Sequence, residues 1–212
     1  MGQAVDLTFV KKNDSIGIIL KRQEEWKLLH DFDRSYYIGS SDVRYVMGRW
    51  SGKSFENWYL EKMGSYRGHF SNRFTRAGNA WEHPILDALG IPGLQMDSQF
   101  VLEPIRLRVN LDGNTTNCIY EVKTYRLRKG YTRERWHEWQ LQVQMYASGI
   151  HRGELVVYGL DEADYVRMAR VDPGRLRRVP VAYDIQWLER CYLPRHRALV
   201  QCLTEGRFPS VQ

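Results

Sequence analysis

The chain has 212 residues, 43% of them hydrophobic and 26% charged, a composition that suits one soluble globular domain and argues against intrinsic disorder. Lysine and arginine exceed aspartate and glutamate by 31 − 25 = +6, which makes a polyanion a reasonable partner. No stretch approaches the roughly 18 apolar residues of a membrane span. The opening MGQAVDLTFVKKND lacks the hydrophobic region of a signal peptide, so an intracellular protein is expected. The 3 cysteines, Cys118, Cys191 and Cys202, are widely spaced and include no Cys-x-x-Cys, which leaves neither a disulfide framework nor a four-cysteine metal site.

Taken in chain order, residues 22–30 place Trp26 and Leu29 at helical spacing. A helix through Val43 and Val46 follows, with Ser40, Ser41 or Asp42 available to cap it. Residues 54–63 read as an amphipathic helix, and Phe74 to Leu89 as another, in which Pro84 should begin, kink or interrupt the helix. The periodicity then changes to alternation. Gln99 to Asp112 and Cys118 to Tyr125 read as two strands joined by a turn at Gly113 to Asn117. Arg135 to Ser148 is helical, Glu154 to Tyr158 is a short buried strand, and a helical segment is expected over about 184–206. With no internal repeat or low-complexity linker, the whole of 1–212 is expected to form a single domain with an α/β core and a mixed sheet.

The residues that suggest chemistry sit on the paired strands. Glu121 and Lys123 are two apart and project to one side of a strand, and the hairpin can bring Asp112 beside them. Two carboxylates and an ammonium would then converge, and carboxylate oxygens are what Mg²⁺ prefers. Each fragment alone also has a plain structural reading, since Asp-Gly is a common turn and Glu-x-Lys a common surface alternation. Glu82 on an amphipathic helix is equally ordinary by itself. Gln140, Gln142 and Gln144 could be the polar residues of their helix or contacts to a metal-bound water or phosphate. Two basic runs stand out: Lys123 to Arg135 has six basic residues and one acid, and Arg167 to Arg178 has five and one. Each is by default a solvated face. Five of the 6 histidines, His30, His69, His137, His151 and His196, have no metal-ligand spacing, and surface or packing roles are expected for them.

In combination and order, these motifs resemble the YqaJ-like viral recombinase family, which includes lambda exonuclease, within the PD-(D/E)XK nuclease superfamily. Ile38-Gly39-Ser40-Ser41-Asp42-Val43 is similar to the family's Ile-Gly-Gly-Ser-Asp-Val segment. Leu60-Glu61-Lys62-Met63-Gly64 is similar to its Leu-Glu-Lys-x-Gly, and Gly78 with Glu82 to its Gly-x-x-x-Glu. Asp112-Gly113 with Glu121-Val122-Lys123 is similar to its Asp-Gly and Glu-x-Lys pair, and Gln140-Leu141-Gln142 with Gly149 to its Gln-x-Gln helix. The similarity spans about 26–160.

The resemblance implies a restriction-endonuclease-like core in which Glu82, Asp112, Glu121 and the Val122 carbonyl hold metal. It makes Lys123 the catalytic lysine and Gln140 the active-site glutamine, with Gln142 the alternative. Arg34 lies seven residues before Ser41, the spacing at which lambda-type enzymes receive the DNA 5′-phosphate. The implied activity is 5′→3′ digestion of one strand from duplex ends, with Mg²⁺ or Mn²⁺, two ions once DNA is bound. The 3′ overhang would pass to a single-strand annealing protein. A ring-shaped homotrimer in the cytoplasm of a phage-bearing bacterial host is implied as well. An endonuclease or nickase of the same superfamily, and a non-catalytic DNA-binding module of the same fold, stand as alternatives.

Overall fold

A computed structural model describes residues 10–11, 36–65, 73–167 and 169–210. Trp26, the helix expected over 22–30 and Arg34 lie outside the described residues. Among the described residues, seven strands form one mixed sheet. They are β1 (Val10–Lys11), β2 (Ile38–Gly39), β3 (Gln95–Leu102), β4 (Leu107–Asn114), β5 (Ile119–Arg126), β6 (Arg152–Leu160) and β7 (Leu176–Ala182). Along the sheet the order is β1-β3-β4-β5-β6-β7, with β2 pairing parallel to β4. The β5–β6 pair is also parallel, and its crossover is the helix α4 (Arg135–Ser148).

The single strand read over Gln99 to Asp112 is in fact two. Glu103–Ile105 forms a 3-10 turn containing Pro104, and Arg106 reverses the chain in the left-handed region at φ 51°. Apolar alternation runs on through the turn, so it conceals the break. Strand β7 begins inside the second basic run, where exposed Arg177 and Arg178 mask its alternation.

The helices pack on both faces. On one face lie α1 (Val43–Met47), α2 (Lys53–Lys62), α4 and α5 (Leu193–Thr204), and α5 is preceded by a π turn over Leu188–Tyr192. On the other lies α3 (Arg73–Ala88). Alternation on the central strands serves the two layers separately. Ile119, Leu155 and Val157 join the core under α4, and Tyr120, Val122, Val156 and Tyr158 join the core under α3.

Helix α3 passes through Pro84 without the break expected there. A proline inside a helix costs about 3 kcal/mol. Trp81, Ile85 and Leu86 around it are fully buried, and each such side chain contributes roughly 1.5–3 kcal/mol, so packing prevails. Trp81 also stacks on Tyr158 at 5.6 Å and donates from its indole to the Asp164 carbonyl at 3.1 Å.

Candidate active site

Two of the motif segments meet through one ion pair. Asp42, in the 3-10 turn Ser40–Asp42, accepts from the Gly39 amide at 2.8 Å and from the Trp58 indole at 2.9 Å, and pairs with Lys62 of α2 at 2.9 Å. Burial pushes the Asp42 carboxyl up, but Lys62 and these donors outweigh it and hold the group below its usual value. Asp42 and Lys62 thereby fix the turn that carries Ser41 to the rim of a cleft.

That cleft, about 1000 Å³, is lined by Ser41, Glu82, Asp112, Glu121, Lys123 and Gln140 among others. An adjoining recess of about 290 Å³ shares Ser41, Glu82, Asp112 and Gln140 and adds Lys62 and Arg108. The structure therefore brings every described residue of the expected site together, with Val122 on the same wall. Gln142 is the exception among the glutamines. Two residues from Gln140 on a helix it points elsewhere, donating to the Ala182 carbonyl at 2.6 Å and accepting from the Asp184 amide at 2.8 Å.

Strand geometry explains the convergence. β5 pairs with β4 only at Gly113–Tyr120 and Asn114–Ile119, and beyond these the two strands part. Asp112 stands at the point of divergence and accepts from the Val122 amide across the gap at 2.8 Å. Glu121 and Lys123 face α4. The Glu121 carboxylate is buried, and its Oε1 accepts from the Lys123 ammonium and the Gln140 amide, each at 2.6 Å. Lys123 also donates to Gln140 Oε1 at 3.1 Å, which closes a triangle.

Glu82 reaches the cleft from α3, and Gly78 lets that helix approach. A Cβ there would stand 3.2 Å from Thr124 Oγ1 on β5.

The electrostatics follow from crowding. Desolvation, then Glu121, then Glu82 push the Asp112 carboxyl well above the usual range, against Lys123 and the Val122 amide. Burial pulls Lys123 down, yet Glu121 and Asp112 reverse this and hold it as an ammonium above its usual value. Carboxylates that repel one another in a desolvated cleft fit a hard divalent cation. Glu82, Asp112 and Glu121, with the Val122 carbonyl, are the residues that could hold one.

Motif reading missed a neighbouring group. Glu82, His83 and Asp97 place ligand atoms within 4.8 Å of one another, and His83 Nε2 lies 3.1 Å from Asp97 Oδ2. Asp97 has φ 57° and lies between the ladder pairs Met96–Gly113 and Ser98–Leu111, opposite Asp112. No spacing rule links residues 83 and 97, so only the fold reveals them.

The basic runs divide. From the first, Lys123 enters the site, and Arg126 lies over the Phe74 ring at 3.8 Å. Lys123, Arg126 and Lys129 line a further recess of about 600 Å³ beside Trp136. In the second, Arg175 pairs with Asp164 at 2.8 Å and Asp161 at 3.0 Å, and Arg178 with Glu154 at 2.6 Å. Those two arginines hold the fold together.

The architecture is an α/β fold, a mixed sheet flanked by helices, shared with solved exonuclease structures. The alkaline exonuclease LHK-Exo of Laribacter hongkongensis superposes with a TM-score of 0.63 at 16% identity, over 87% of this chain and 94% of that one. Its complex with dAMP gives 0.64 at the same identity and coverage. A phage-related exonuclease of Haemophilus somnus gives 0.61 at 12% identity, over 82% of this chain and 97% of that one. These structures bear out, at the level of the fold, the resemblance carried by the motifs. The sequence matches no protein-family model and no curated protein.

Proposed function

We propose that the chain is a metal-dependent deoxyribonuclease that digests one strand of linear duplex DNA from its ends in the 5′→3′ direction, releasing mononucleotides and leaving a 3′ single strand. The observation that carries this reading is the convergence of Glu82, Asp112, Glu121 and Lys123 on one cleft of a fold shared with exonucleases.

In the reaction a water oxygen bonds to phosphorus as the P–O3′ bond breaks, and the departing 3′-oxygen takes a proton. Mg²⁺, or Mn²⁺ in its place, with two ions once DNA is bound, would supply positive charge to activate the water and stabilise the leaving oxygen. Asp112 and Glu121 approach from neighbouring strands, and Glu82 from α3, to hold that charge. The Lys123 ammonium, fixed by Glu121 and Gln140, orients the attacking water and meets the phosphate with a positive charge.

Ser41 at the cleft rim, with Arg34, receives the 5′-phosphate. Arg44, Arg126 and Lys129 contact the DNA backbone, an attraction that weakens with salt and reads no sequence. A ring-shaped homotrimer and delivery of the 3′ strand to an annealing protein, in the cytoplasm of a phage-bearing bacterium, complete the proposal. No helix among the described residues is long and apolar enough to cross a membrane.

Release of mononucleotides from linear duplex DNA in Mg²⁺ but not in EDTA, with closed circles intact, is the expected result. Cutting of closed circles would replace this reading with an endonuclease, and DNA binding without cleavage would replace it with a binding module. Light scattering should find about three times the 25.1 kDa chain mass, and a monomer with and without DNA would remove the ring.

A further inference from the structure

Strand β4 has two edges. One pairs with β3 from Leu102–Leu107 to Gln95–Asn114. The other is shared: β2 takes it at Leu107 and Arg108, and β5 takes it at Gly113 and Asn114. Between these, from Val109 to Asp112, no strand among the described residues covers the edge. This is where the site needs two carboxylates on separate strands held apart rather than zipped together.

Side chains occupy the interval. Asp112 accepts from the Val122 amide, and Gln144 of α4 spans the rest. The Gln144 Nε2 donates at 3.0 Å to the Asn110 carbonyl on β4 and at 2.6 Å to Glu121 Oε2 on β5. Both partners are acceptors, so the orientation of the amide is fixed and both of its hydrogens are used. Gln140, one helical turn earlier, holds the other oxygen of the same carboxylate. The two glutamines therefore fix the plane of the Glu121 carboxylate, and Gln144 alone also ties it to the strand that carries Asp112.

Gln144 is fully buried, and its own Oε1 has no hydrogen-bond partner among the described residues. A buried acceptor left unpaired is an energetic cost that an apolar residue of the same shape would avoid. Packing alone thus gives no reason for an amide here.

We infer that Gln144 is a positioning residue that sets the spacing between Asp112 and Glu121, and through it the affinity of the site for a divalent cation. The inference rests on the nuclease reading above. Gln144 touches no substrate in this account and acts through Glu121.

The test replaces Gln144 with methionine, which keeps the length and volume and removes both donors. Mn²⁺ binding is followed by calorimetry, and cleavage of linear duplex DNA by Mg²⁺ titration. Gln144→Met should fold with a lower melting temperature, because the Asn110 carbonyl and Glu121 Oε2 lose their donor, bind Mn²⁺ roughly 10- to 100-fold more weakly, and need correspondingly more Mg²⁺ for half-maximal cleavage. Its KM for DNA ends at saturating Mg²⁺ should match the parent.

Parental metal binding and parental Mg²⁺ dependence in Gln144→Met would overturn the inference and leave the nuclease reading intact. Should Gln144→Met not fold, Gln144→Glu, which keeps the length and can donate one hydrogen bond when protonated, is measured in the same way. Failure of both to fold by circular dichroism would make Gln144 a structural core residue and overturn the inference as well. A parental chain that binds no Mn²⁺ and cuts no DNA would remove the nuclease reading itself, and the inference with it.

Discussion

Lys123 and Glu121 lie two residues apart on β5 and face the same side, the Lys123 ammonium donating to Glu121 Oε1 at 2.6 Å. Lys123→Ala should reduce cleavage by about 10²–10⁴-fold, the range typical of a positioned proton-handling group. Glu121 keeps its bonds to Gln140 and Gln144, so the variant should fold and still bind DNA. Circular dichroism, a gel shift and a turnover assay check all three, and wild-type turnover would refute the role.

Asp112 should stabilise the metal-free protein when it is removed. Its carboxyl is raised by burial, Glu121 and Glu82, so the folded state holds the proton more tightly than the unfolded chain does. The associated stability is present below the unfolded pKa of about 3.9 and is lost as pH rises through the elevated folded value. Asp112→Asn keeps the acceptor for the Val122 amide and removes the repulsion. At neutral pH in EDTA we expect a gain on the order of 1 kcal/mol, about 2–4 °C for a chain of this size. Mg²⁺-dependent cleavage should be abolished. A melting curve in EDTA, repeated from pH 4 to 8, should show the gain growing with pH.

His196 makes the fold sensitive to acid. It is fully buried between Tyr192, whose hydroxyl lies 3.1 Å from Nδ1, and the Ile105 carbonyl, 2.8 Å from Nε2. Burial lowers its pKa to about 4, with Arg197 and Arg106 adding to the effect. The unfolded chain takes up a proton near pH 6.5 while the folded protein resists it. Stability present above pH 6.5 should therefore fall by about 3 kcal/mol as pH drops toward 4. His196→Gln should be less stable at pH 7 and show a shallower decline over that window in urea titrations.

Gly78 governs the distance between Glu82 and β5. Gly78→Leu cannot keep α3 against Thr124, where even a Cβ stands at 3.2 Å. Displacement of a catalytic group by about 1 Å can cost 10²-fold, so kcat/KM should fall by about that factor. Intact secondary structure with parental activity would show that the close approach is dispensable.

Much of this arrangement was legible in the sequence because it is local. Glu121 and Lys123 share a strand face by their spacing, Asp112 precedes a turn, and α4 is readable at both ends from Arg135 to Ser148, stopped by Gly149 in the left-handed region at φ 72°. What escaped depends on tertiary packing. The break at Glu103–Ile105 lay inside continuous alternation, and Pro84 was carried through α3 by the burial of Trp81, Ile85 and Leu86. The choice among three glutamines needed the helix phase against the sheet, which left Gln142 on Ala182 and set Gln140 and Gln144 on Glu121. The pairing of His83 with Asp97 joins α3 to β3 and has no sequence signature.

The most direct test is digestion of a linear duplex carrying a 5′-phosphate at one end and a 5′-hydroxyl at the other, beside closed circular DNA, in Mg²⁺ and in EDTA, with Lys123→Ala as control. Loss of the phosphorylated strand alone is predicted, only in Mg²⁺, with the circle intact and the variant at least about 100-fold slower. Cutting of the circle, digestion in EDTA, or a Lys123→Ala protein with wild-type turnover would contradict this.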